Sequence, residues 1–470
     1  MNNFIGIDIG ASFIKGALFD LKDFKVKKIV KYPSPTSEIK GKNLNAVRFE
    51  VNCDLYEKRV RKIIDEILKI KRKIDGIVFC TQMHGMVLVD DDLRQITPFI
   101  GWQDDRLHEI AKINKTWLDL LNQKLKKVNL SNTGIKYRSG LMGSTLFWLS
   151  ENGILKKNKK ATALFLGDYI AAKLTNGKKL AHPTNACGAG LFDTKNNVWD
   201  GKILKALNID KSYLPEVVPT GSIVGYFGKN EKKIPVFVST GDLQTAILGS
   251  QTGLGKEKDF CINIGTGSQV SFISKDFIVG NYDIRSYFDN TYLNTITFIP
   301  GGRALNTVIG LVEEIGDKIF GKRNIDVWEK MEKLISKKID SEGMIADVSY
   351  YKNSITRGEG GSFTNILEKN LTAENMLFSA LEGMVNNYWI AYKRMENSNR
   401  KYRITCAGGL VRKLERMRFL LEKKFGRKIS LAKYEEETLA GLFIFSLICS
   451  GKFSTVKNAS CFLQKNNLKF

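Results

Sequence analysis

Two apolar segments separated by small residues open the chain. Segments 4–9 and 13–19 are rich in Ile, Phe, Leu and Ala, and residues 10–12 are Gly-Ala-Ser. This pattern predicts a β-hairpin with a tight turn. A helical periodicity follows and leads into the β-branched run 74–80, typical of a buried parallel strand. The helix is indicated by Val60, Ile63, Ile64, Ile67 and Leu68. The N-terminal part therefore predicts an α/β unit that begins with a hairpin.

The same opening recurs in the second half. Ile7-Asp8-Ile9-Gly10 matches Ile262-Asn263-Ile264-Gly265 at an offset of 255 residues, just over half of the 470-residue chain. That period is too long for a solenoid and predicts two related domains, 1–250 and 251–470. The turn-forming stretch 251–259 suits the connection. Since no low-complexity linker intervenes, we expect the domains to pack around a shared cleft.

Both turns have the composition of a phosphate-binding loop. Small residues let backbone N–H groups approach a phosphate closely, and hydroxyls add donors. Asp8 precedes the first turn and could hold Mg²⁺ directly or through water, while Lys15 could reach phosphate oxygens. Alternatively, each turn is only a hairpin. Two copies in register favour loops that bind a polyphosphate from both sides of the cleft.

Side chains suited to a sugar follow the predicted strand at 74–80. Gln82 and His84 offer donors and acceptors at the carboxyl end of that strand, where open α/β sheets bind ligands. Trp102 offers an aromatic face for the apolar side of a sugar ring. It is followed by Gln103, Asp104, Asp105 and Arg106. The alternatives are a polar loop with a satisfied histidine, and an Asp/Arg-rich helix start with a buried tryptophan.

The segment 234–249 places a carboxylate between a strand and a helix. A β-branched run ends at Thr240-Gly241, and Asp242 opens an apolar, helix-compatible run. An Asp there is also a standard helix N-cap. Phosphoryl transfer to an alcohol needs one carboxylate that accepts the hydroxyl proton. Asp242, at a strand end beside the predicted domain junction, is our candidate for that base.

A glycine pair near the C-terminus has a similar position. Gly408 and Gly409 separate a strand-like run from a helix. The apolar face of that helix is formed by Leu414, Met417, Leu421 and Phe425. Paired glycines would let a flat adenine ring lie against the backbone. A simple turn between helix and strand is the alternative.

Together these segments resemble the FGGY family of carbohydrate kinases, in the actin/hexokinase/Hsp70 superfamily. The matching segments are Asp8-Ile-Gly-Ala-Ser, Gln82-Met-His-Gly, Trp102-Gln-Asp-Asp-Arg, Gly241-Asp242-Leu-Gln, Asn263-Ile-Gly-Thr-Gly-Ser, Ala380-Leu-Glu-Gly and Ala407-Gly-Gly. They run in the family's order from residue 4 to about 445. The resemblance implies an α/β fold of two ribonuclease-H-like domains with an interdomain active-site cleft. It further implies that the first domain binds most of the sugar and that Mg-ATP lies in the cleft.

The resemblance also implies roles for single residues. Asp242 corresponds to the catalytic aspartate, and Asp8 and Asp242 are the expected ligands of Mg²⁺. The expected sugar-binding residues are Gln82, Met83, His84, Trp102, Asp104, Asp105, Arg106, Asn185 and Gln244. The expected ATP-binding residues are Gly10, Ala11, Ser12, Lys15, Gly265, Thr266, Gly267, Ser268, Gly302, Gly408, Gly409 and Arg412.

The finer pattern favours a ketose substrate. His182-Pro-Thr-Asn185-Ala and Ser144-Thr145-Leu-Phe-Trp148-Leu look more like sedoheptulokinases than other members. We therefore expect phosphorylation of a terminal hydroxyl of a sugar such as sedoheptulose. A xylulokinase-like or other pentulose or polyol kinase, and a catalytically silent sugar- or nucleotide-binding regulator, remain alternatives. Two departures stand out: Ala11 replaces the customary Thr of the first phosphate loop, and Thr145 replaces an expected lysine.

Composition excludes several classes of protein. The net charge of +24 raises the question of nucleic acid, but the lysines fall in many short, separate runs, so we expect no nucleic-acid partner. The longest apolar run, 440–449, is too short for a membrane span, which needs roughly 20 residues. The seven cysteines are scattered, without Cys-x-x-Cys, which predicts reduced thiols and no zinc site. With no signal-peptide pattern at residues 1–20, we expect a cytoplasmic monomer or homodimer.

Overall fold

The computed structural model describes residues 1–36, 47–228, 233–253, 259–321, 327–358, 360–396 and 402–470. The strands are β1 (Asn3–Ile9), β2 (Phe13–Asp20), β3 (Lys25–Pro33), β4 (Glu50–Val51), β5 (Gly76–Thr81), β6 (Val87–Val89), β7 (Phe99–Ile100), β8 (Ile110–Lys112), β9 (Lys115–Thr116), β10 (Thr162–Leu164), β11 (Leu180–Ala181), β12 (Phe192–Asp193), β13 (Val198–Trp199), β14 (Glu216–Val217), β15 (Ile223–Phe227), β16 (Ile234–Phe237), β17 (Thr240–Gly241), β18 (Asp259–Ile264), β19 (Gly267–Ser274), β20 (Asp283–Ser286), β21 (Tyr292–Pro300), β22 (Ile345–Asp347), β23 (Ser362–Thr364), β24 (Arg403–Ala407) and β25 (Ser430–Leu431).

The α-helices are α1 (Cys53–Ile70), α2 (Trp117–Leu125), α3 (Met142–Glu151), α4 (Ile154–Lys157), α5 (Leu166–Thr175), α6 (Pro183–Ala186), α7 (Gly201–Leu207), α8 (Asp242–Gly249), α9 (Gly302–Phe320), α10 (Val327–Ile335), α11 (Ala373–Met395), α12 (Gly409–Lys413), α13 (Glu415–Phe425), α14 (Glu437–Cys449) and α15 (Val456–Asn466). The predicted hairpin (β1–β2), the helix through Val60 (α1) and the helix after Gly409 (α13) are therefore confirmed. The predicted strand 234–240 is split, since β16 ends at Phe237 and β17 begins at Thr240. Part of the predicted connection at 251–259 lies outside the described residues.

The first sheet has the strand order β15-β16-β5-β1-β2-β3, with β17 also paired to β5. Strands β1, β2 and β3 run antiparallel, whereas β5 pairs parallel with β1, β16 and β17. Both faces are covered, because successive side chains of a strand point to opposite sides. Ile5 and Ile7 of β1 pack with the apolar face of α1, and Phe4 packs in the cluster that contains α8 and α14.

The second sheet repeats this plan in the order β20-β21-β19-β18-β24-β25. Strands β18, β19 and β21 are antiparallel neighbours, and β24 and β25 continue the sheet in parallel beyond β18. Leaving out β15, β17 and β20, both sheets show the order 3-2-1-4-5 of a ribonuclease-H-like unit, as the resemblance implied. Phe260 and Ile262 of β18 pack against α11 in a separate core cluster.

Helix α14 connects the two units. It lies near the C-terminus of the chain, yet it packs against β1, β5 and α8 of the first unit. It is apolar almost all round, and its residues from Leu439 to Leu447 are buried, as expected of a helix enclosed by other elements. Among the described residues, no helix is long and apolar enough to cross a membrane. All seven cysteines are unpaired.

Candidate active site

Two aspartates lie at the carboxyl ends of neighbouring parallel strands. Asp8 is the penultimate residue of β1 and pairs in register with Cys80 of β5, which is also the partner of Thr240 of β17. Asp242 follows β17 directly. Because parallel strands end at the same edge of a sheet, the topology brings both carboxylates to one edge.

Burial and mutual repulsion set the electrostatics of this pair. Burial, and then the charge of Asp242, raise the pKa of Asp8 to about 7, although Lys15 opposes the shift. Burial raises the pKa of Asp242 to about 6, against the effect of Arg285. A cation between the two carboxylates would relieve their repulsion. No cluster of three or more metal-ligating side chains occurs among the described residues, so a Mg²⁺ ion here would need further oxygen ligands from phosphates.

Asp242 begins helix α8 without capping it. Gly241 is the N-cap residue, and the Oδ1 atom of Asp242 accepts a hydrogen bond of 2.8 Å from the backbone N–H of Leu243. The N-cap alternative for Asp242 is therefore wrong. A carboxylate in the first turn of a helix is stabilised by the helix dipole. The other oxygen has no hydrogen bond within the described residues and is open to a ligand.

Gln244, two residues further, is anchored by its amide nitrogen. That nitrogen donates to the carbonyl oxygens of Thr184 (3.1 Å) and of Ser286 (3.2 Å), which belong to different units. Asn185 is also anchored, because its Nδ2 donates to the carbonyl of Ser239 at 3.1 Å. Both side chains are fully buried. The structure thus uses these amide nitrogens to position the loop before α8.

His84 is held as a neutral hydrogen-bonding group. It has a φ angle of 78° and lies 7% exposed. Its Nδ1 is 2.8 Å from the carbonyl oxygen of Gly188, so Nδ1 carries the proton and Nε2 is an acceptor. Burial, followed by the charges of Arg138 and Arg285, moves the pKa of His84 well below its usual value. A neutral imidazole can accept a hydrogen bond from a sugar hydroxyl.

Arg285 reaches this region from the second unit, and the sequence analysis missed it. It lies on β20 and is only 2% exposed. Its Nη2 is 3.3 Å from Asp283, and its Nη1 is 3.6 Å from the sulfur of Met83. No motif marks this arginine, because its importance arises from the packing of one unit against the other.

The segment after Trp102 divides into two roles. Asp104 and Arg106 are buried and paired, with Nε 2.7 Å from Oδ1. Asp104 also accepts from the backbone N–H of Phe49 at 2.8 Å, and Arg106 pairs with Glu50 at 2.6 Å. The charged groups of both are therefore engaged within the fold. Their predicted contact with a sugar stays a prediction, although the fold already uses most of their hydrogen-bonding capacity.

A cavity of about 640 Å³ lies between the two units beside Trp102. Gln103 and Asp105 also line it from the first unit. Phe298 faces them from β21, with its ring centre 5.8 Å from that of Trp102. Burial is the main cause that raises the pKa of Asp105. An aromatic pair with neighbouring polar groups is the surface that a sugar ring requires.

The first glycine turn is closed by its own backbone. Gly10 donates to the carbonyl of Phe13 at 3.1 Å, and Ser34 donates through its hydroxyl to the carbonyl of Gly10. Ala11 and Ser12 are exposed at the tip. The tip therefore offers backbone N–H groups and the hydroxyl of Ser12 to an anion.

The second glycine turn is fastened to the start of α9. The N–H of Gly302 donates to the carbonyl of Gly265 at 2.8 Å, while Thr266 and Gly267 are exposed. Ser268 is buried, and its hydroxyl lies 3.0 Å from that of Tyr388. The exposed part of this turn is thus Thr266-Gly267, and the predicted phosphate contact of Ser268 would have to come from its backbone.

Two glutamates at the start of α14 contact the first hairpin and the C-terminal glycine pair. Glu436 accepts from the ammonium group of Lys15 at 2.5 Å, and Glu437 accepts from the N–H of Gly408 at 3.0 Å. Gly408 has a φ of +95°, and a Cβ there would lie 2.4 Å from the carbonyl oxygen of Ile264. Gly408 is therefore required by its backbone conformation and by close contact.

Arg412 and Gly409 differ in their surroundings. The guanidinium of Arg412 donates to the carbonyl oxygens of Ala432 and Tyr434. A Cβ at Gly409 would meet nothing within 4 Å, so the space above this residue is open, as a flat ligand would need. The predicted nucleotide contacts of both residues stay predictions.

The comparison with protein families settles the wider classification. Residues 3–249 match the model of the N-terminal domain of the FGGY family of carbohydrate kinases. The chain belongs to the FGGY family. The resemblance that the motifs predicted is thereby confirmed, and with it membership in a family of phosphotransferases that act on sugar hydroxyls.

Individual FGGY relatives agree on the class but differ in substrate. A xylulose kinase of Lactococcus lactis is 28% identical over 279 residues, covering 58% of this chain and 53% of the relative. A sedoheptulokinase of Mus musculus is 22% identical over 420 residues, covering 82% of this chain and 84% of the relative. The match therefore spans about half of the first relative and most of the second.

A solved FGGY structure confirms the fold. The xylulose kinase of Lactobacillus acidophilus superposes with a TM-score of 0.81 at 20% identity, covering 98% of this chain and 92% of the other. The predicted α/β architecture of two ribonuclease-H-like units is therefore confirmed. The individual roles of the site residues stay predictions.

Proposed function

We propose that this FGGY protein transfers the γ-phosphoryl group of ATP to a terminal hydroxyl of a sugar, with Asp242 as the base. The observation that carries the proposal is the position of Asp242. It lies at a strand end beside Asp8, and Arg285 of the second unit is close enough for its charge to lower the pKa of Asp242. A pKa of about 6 leaves this carboxylate mostly ionised at neutral pH, and basic enough to accept a hydroxyl proton.

The two glycine turns would bind the phosphates of ATP. Ser12 and Thr266 are exposed at the two tips and add hydroxyl donors to the backbone N–H groups. Gly302, at the first position of α9, would help by holding the second turn in place, because its N–H donates to the carbonyl of Gly265 at 2.8 Å. Gly408 and Gly409 would lie on the adenine side. With the donors fixed before ATP binds, charge that develops during transfer is stabilised without rearrangement.

Mg²⁺ fits the pair formed by Asp8 and Asp242. Both are oxygen donors whose pKa values are raised mainly by burial, and for Asp8 also by the charge of Asp242; a divalent cation would favour the ionised form of both. When bound together with ATP, the ion would neutralise part of the negative charge of the phosphates. Asp8 would hold it on the sheet side, which leaves Asp242 able to face the acceptor hydroxyl.

The sugar would bind in the cavity beside Trp102, with Asp105 and the neutral His84 as hydrogen-bonding partners. We propose a ketose such as sedoheptulose, supported by the long alignment with the mouse sedoheptulokinase. A xylulokinase-like specificity is the alternative. We also propose that residues 1–250 and 251–470 act as two domains that close on the substrates, in a cytoplasmic monomer or homodimer.

The experiment that tests the function is a coupled assay of ADP release. The purified protein is incubated with Mg-ATP and a panel that includes sedoheptulose, xylulose, ribulose and glycerol. Asp242→Asn is expected to keep its fold and its sugar binding but to lose several orders of magnitude in kcat. Asp65→Asn, an exposed aspartate of α1, is the matched control. Near-normal turnover in Asp242→Asn, or no turnover on any acceptor by the wild type, would refute the proposal.

A further inference from the structure

The cavity between the two units carries an excess of positive charge. Its lining includes six basic side chains and two aspartates. The basic residues are Lys136, Arg138, Arg303, Lys352, Arg357 and Arg394. A neutral sugar needs donors and acceptors but no net charge, so this lining is not explained by the proposed binding of an uncharged ketose.

Among the described residues, neither aspartate of the cavity forms an ion pair with any of these six basic side chains. Asp283 is paired with Arg285, 3.3 Å away. Asp105 forms no ion pair within 4 Å among the described residues, although Lys352 lowers its pKa through the longer-range charge interaction. The excess charge is therefore available to a ligand.

Two of the arginines are held in place by aromatic rings. The guanidinium of Arg138 lies 4.7 Å from the ring centre of Phe298, and that of Arg303 lies 4.4 Å from that of Tyr351. Stacking on a ring orients a guanidinium while leaving its N–H donors free. Within the residues that the structure describes, neither guanidinium donates a hydrogen bond to a protein group. By contrast, Arg394 donates to the carbonyl oxygens of Ser354 and Ile355.

Arg138 is the most constrained of these cations. Burial is the main cause that lowers the pKa of its guanidinium, to about 10; the charge of Asp283 opposes this shift and that of Arg285 adds to it. The Arg138 side chain is only partly exposed, and an anion with two oxygens would supply, in bidentate geometry, the acceptors that its guanidinium lacks among the described residues. Arg138 also lowers the pKa of His84, which places it at the sugar end of the cavity.

We propose that the phosphoryl acceptor is an anionic polyol, whose carboxylate or phosphate monoester is bound by Arg138 at the end of the chain remote from the reacting hydroxyl. The inference rests on the proposed phosphoryl transfer, and it replaces the uncharged ketose proposed above by an acceptor that also carries an anionic group. The alternative occupant of the basic cavity is the polyphosphate of ATP. Arg303, whose backbone N–H donates to the carbonyl of Thr266 at 3.0 Å, lies on that side. Arg138 instead lies close enough to His84 to lower its pKa, and it stacks on Phe298, the ring that pairs with Trp102.

Matched pairs of acceptors test this proposal. We expect kcat/KM to be at least ten-fold higher for gluconate than for glucitol, for xylonate than for xylitol, or for fructose 1-phosphate than for fructose. The preference should fall as ionic strength rises. The first two pairs report on a carboxylate and the third on a phosphate. Equal or better turnover of the neutral members would overturn the inference while leaving the proposed function intact.

Direct binding separates the two proposals. Calorimetric titration of Asp242→Asn with each pair measures acceptor affinity without turnover. Tighter binding of an anionic member supports the inference even if no acceptor is phosphorylated, an outcome that refutes the proposed function alone. Binding of the neutral members only, or of none, overturns the inference.

Substitution of Arg138 assigns the contact. Arg138→Gln is expected to raise the KM of the preferred anionic acceptor at least ten-fold and to leave the KM of its neutral partner and of ATP unchanged, whereas Arg138→Lys retains part of the preference. Arg416→Gln is the control, because Arg416 also stacks on a phenylalanine, Phe419, but lies outside the cavity. A rise in the KM of ATP in Arg138→Gln would show that the nucleotide occupies this position and would overturn the proposal.

Discussion

Helices α8 and α14 cross at a pair of glycines, and this contact makes a quantitative prediction. A Cβ at Gly441 of α14 would lie 1.9 Å from the carbonyl oxygen of Thr245, and a Cβ at Gly249 of α8 would lie 1.7 Å from that of Glu437. Ordinary contacts of a Cβ begin at 3.4 Å. Gly441→Ala therefore requires the helices to separate by about 1.5 Å, since the opposing atom belongs to the backbone.

The expected cost follows from two opposing effects. Overpacking of this kind typically costs about 1–3 kcal/mol. Replacing glycine by alanine inside a helix increases the stability of the helix by up to about 1 kcal/mol. Because the overlap is with backbone, we place the cost at about 3 kcal/mol; with a gain of about 1 kcal/mol from alanine, Gly441→Ala should lose about 2 kcal/mol of stability. Because Asp242 is the first residue of α8, a shift of about 1 Å should also lower kcat by roughly 100-fold.

The assay combines thermal unfolding with steady-state kinetics. Gly310→Ala is the matched control: Gly310 also lies within a helix, α9, but a Cβ there would meet nothing within 4 Å. It should gain up to about 1 kcal/mol with unchanged kcat. If Gly441→Ala melts at the wild-type temperature with wild-type kcat, the close helix contact does not position the base, and the reasoning is wrong.

Three further predictions follow from the site. First, kcat/KM should fall as the pH drops below about 6, because Asp242 must be ionised to accept a proton. Second, Asp8→Asn should raise the free energy of unfolding at pH 8, and should raise it less as the pH falls toward 4. The pKa of Asp8 is about 7 in the folded protein and 3.8 ordinarily. The wild type therefore loses stability as the pH rises through 7, and the Asn variant does not. Third, Ala11→Thr should lower the KM of ATP about 2–10-fold by adding one hydroxyl donor, worth about 0.5–1.5 kcal/mol.

Each of these has a clear contrary result. A pH profile that is flat between 5 and 8 excludes a base with the pKa of Asp242. Equal stability of Asp8→Asn and the wild type in urea titrations at pH 8 would show that the carboxyl is not strained by burial. An unchanged KM of ATP in Ala11→Thr would show that the exposed tip of the first turn does not contact the nucleotide.

The sequence predicts those parts of the fold that depend on residues close together in the chain. The alternation in segments 4–9 and 13–19 predicted the β1–β2 hairpin, because the turn between them needs only small residues. The match between Gly10 and Gly265 predicted a second unit of the same plan, since both turns follow the first strand of a sheet. The start of α8 at Asp242 was also predicted, whereas its N-cap is Gly241.

The site was predictable only where its chemistry is carried by a motif. The sequence predicts sugar binding by the whole segment after Trp102; that stays a prediction, and the structure adds that Asp104 and Arg106 form a buried pair. No local pattern distinguishes a buried ion pair from a ligand-binding one, because the difference depends on Phe49 and Glu50, about fifty positions earlier in the chain. Arg285 was missed for the same reason.

The basic cavity shows most clearly why part of the site could not be predicted from the sequence alone. A net charge of +24 indicates a highly basic protein but does not locate the charge. The basic residues of the cavity come from segments as far apart as Lys136 and Arg394, and they meet only because the two units pack face to face. No two of the segments form a motif, so the sequence alone predicts only that no nucleic-acid partner is expected. The fold brings part of this positive charge to Arg138, beside the aromatic pair of the proposed sugar site. At that position the charge should favour an acceptor that has an anionic group.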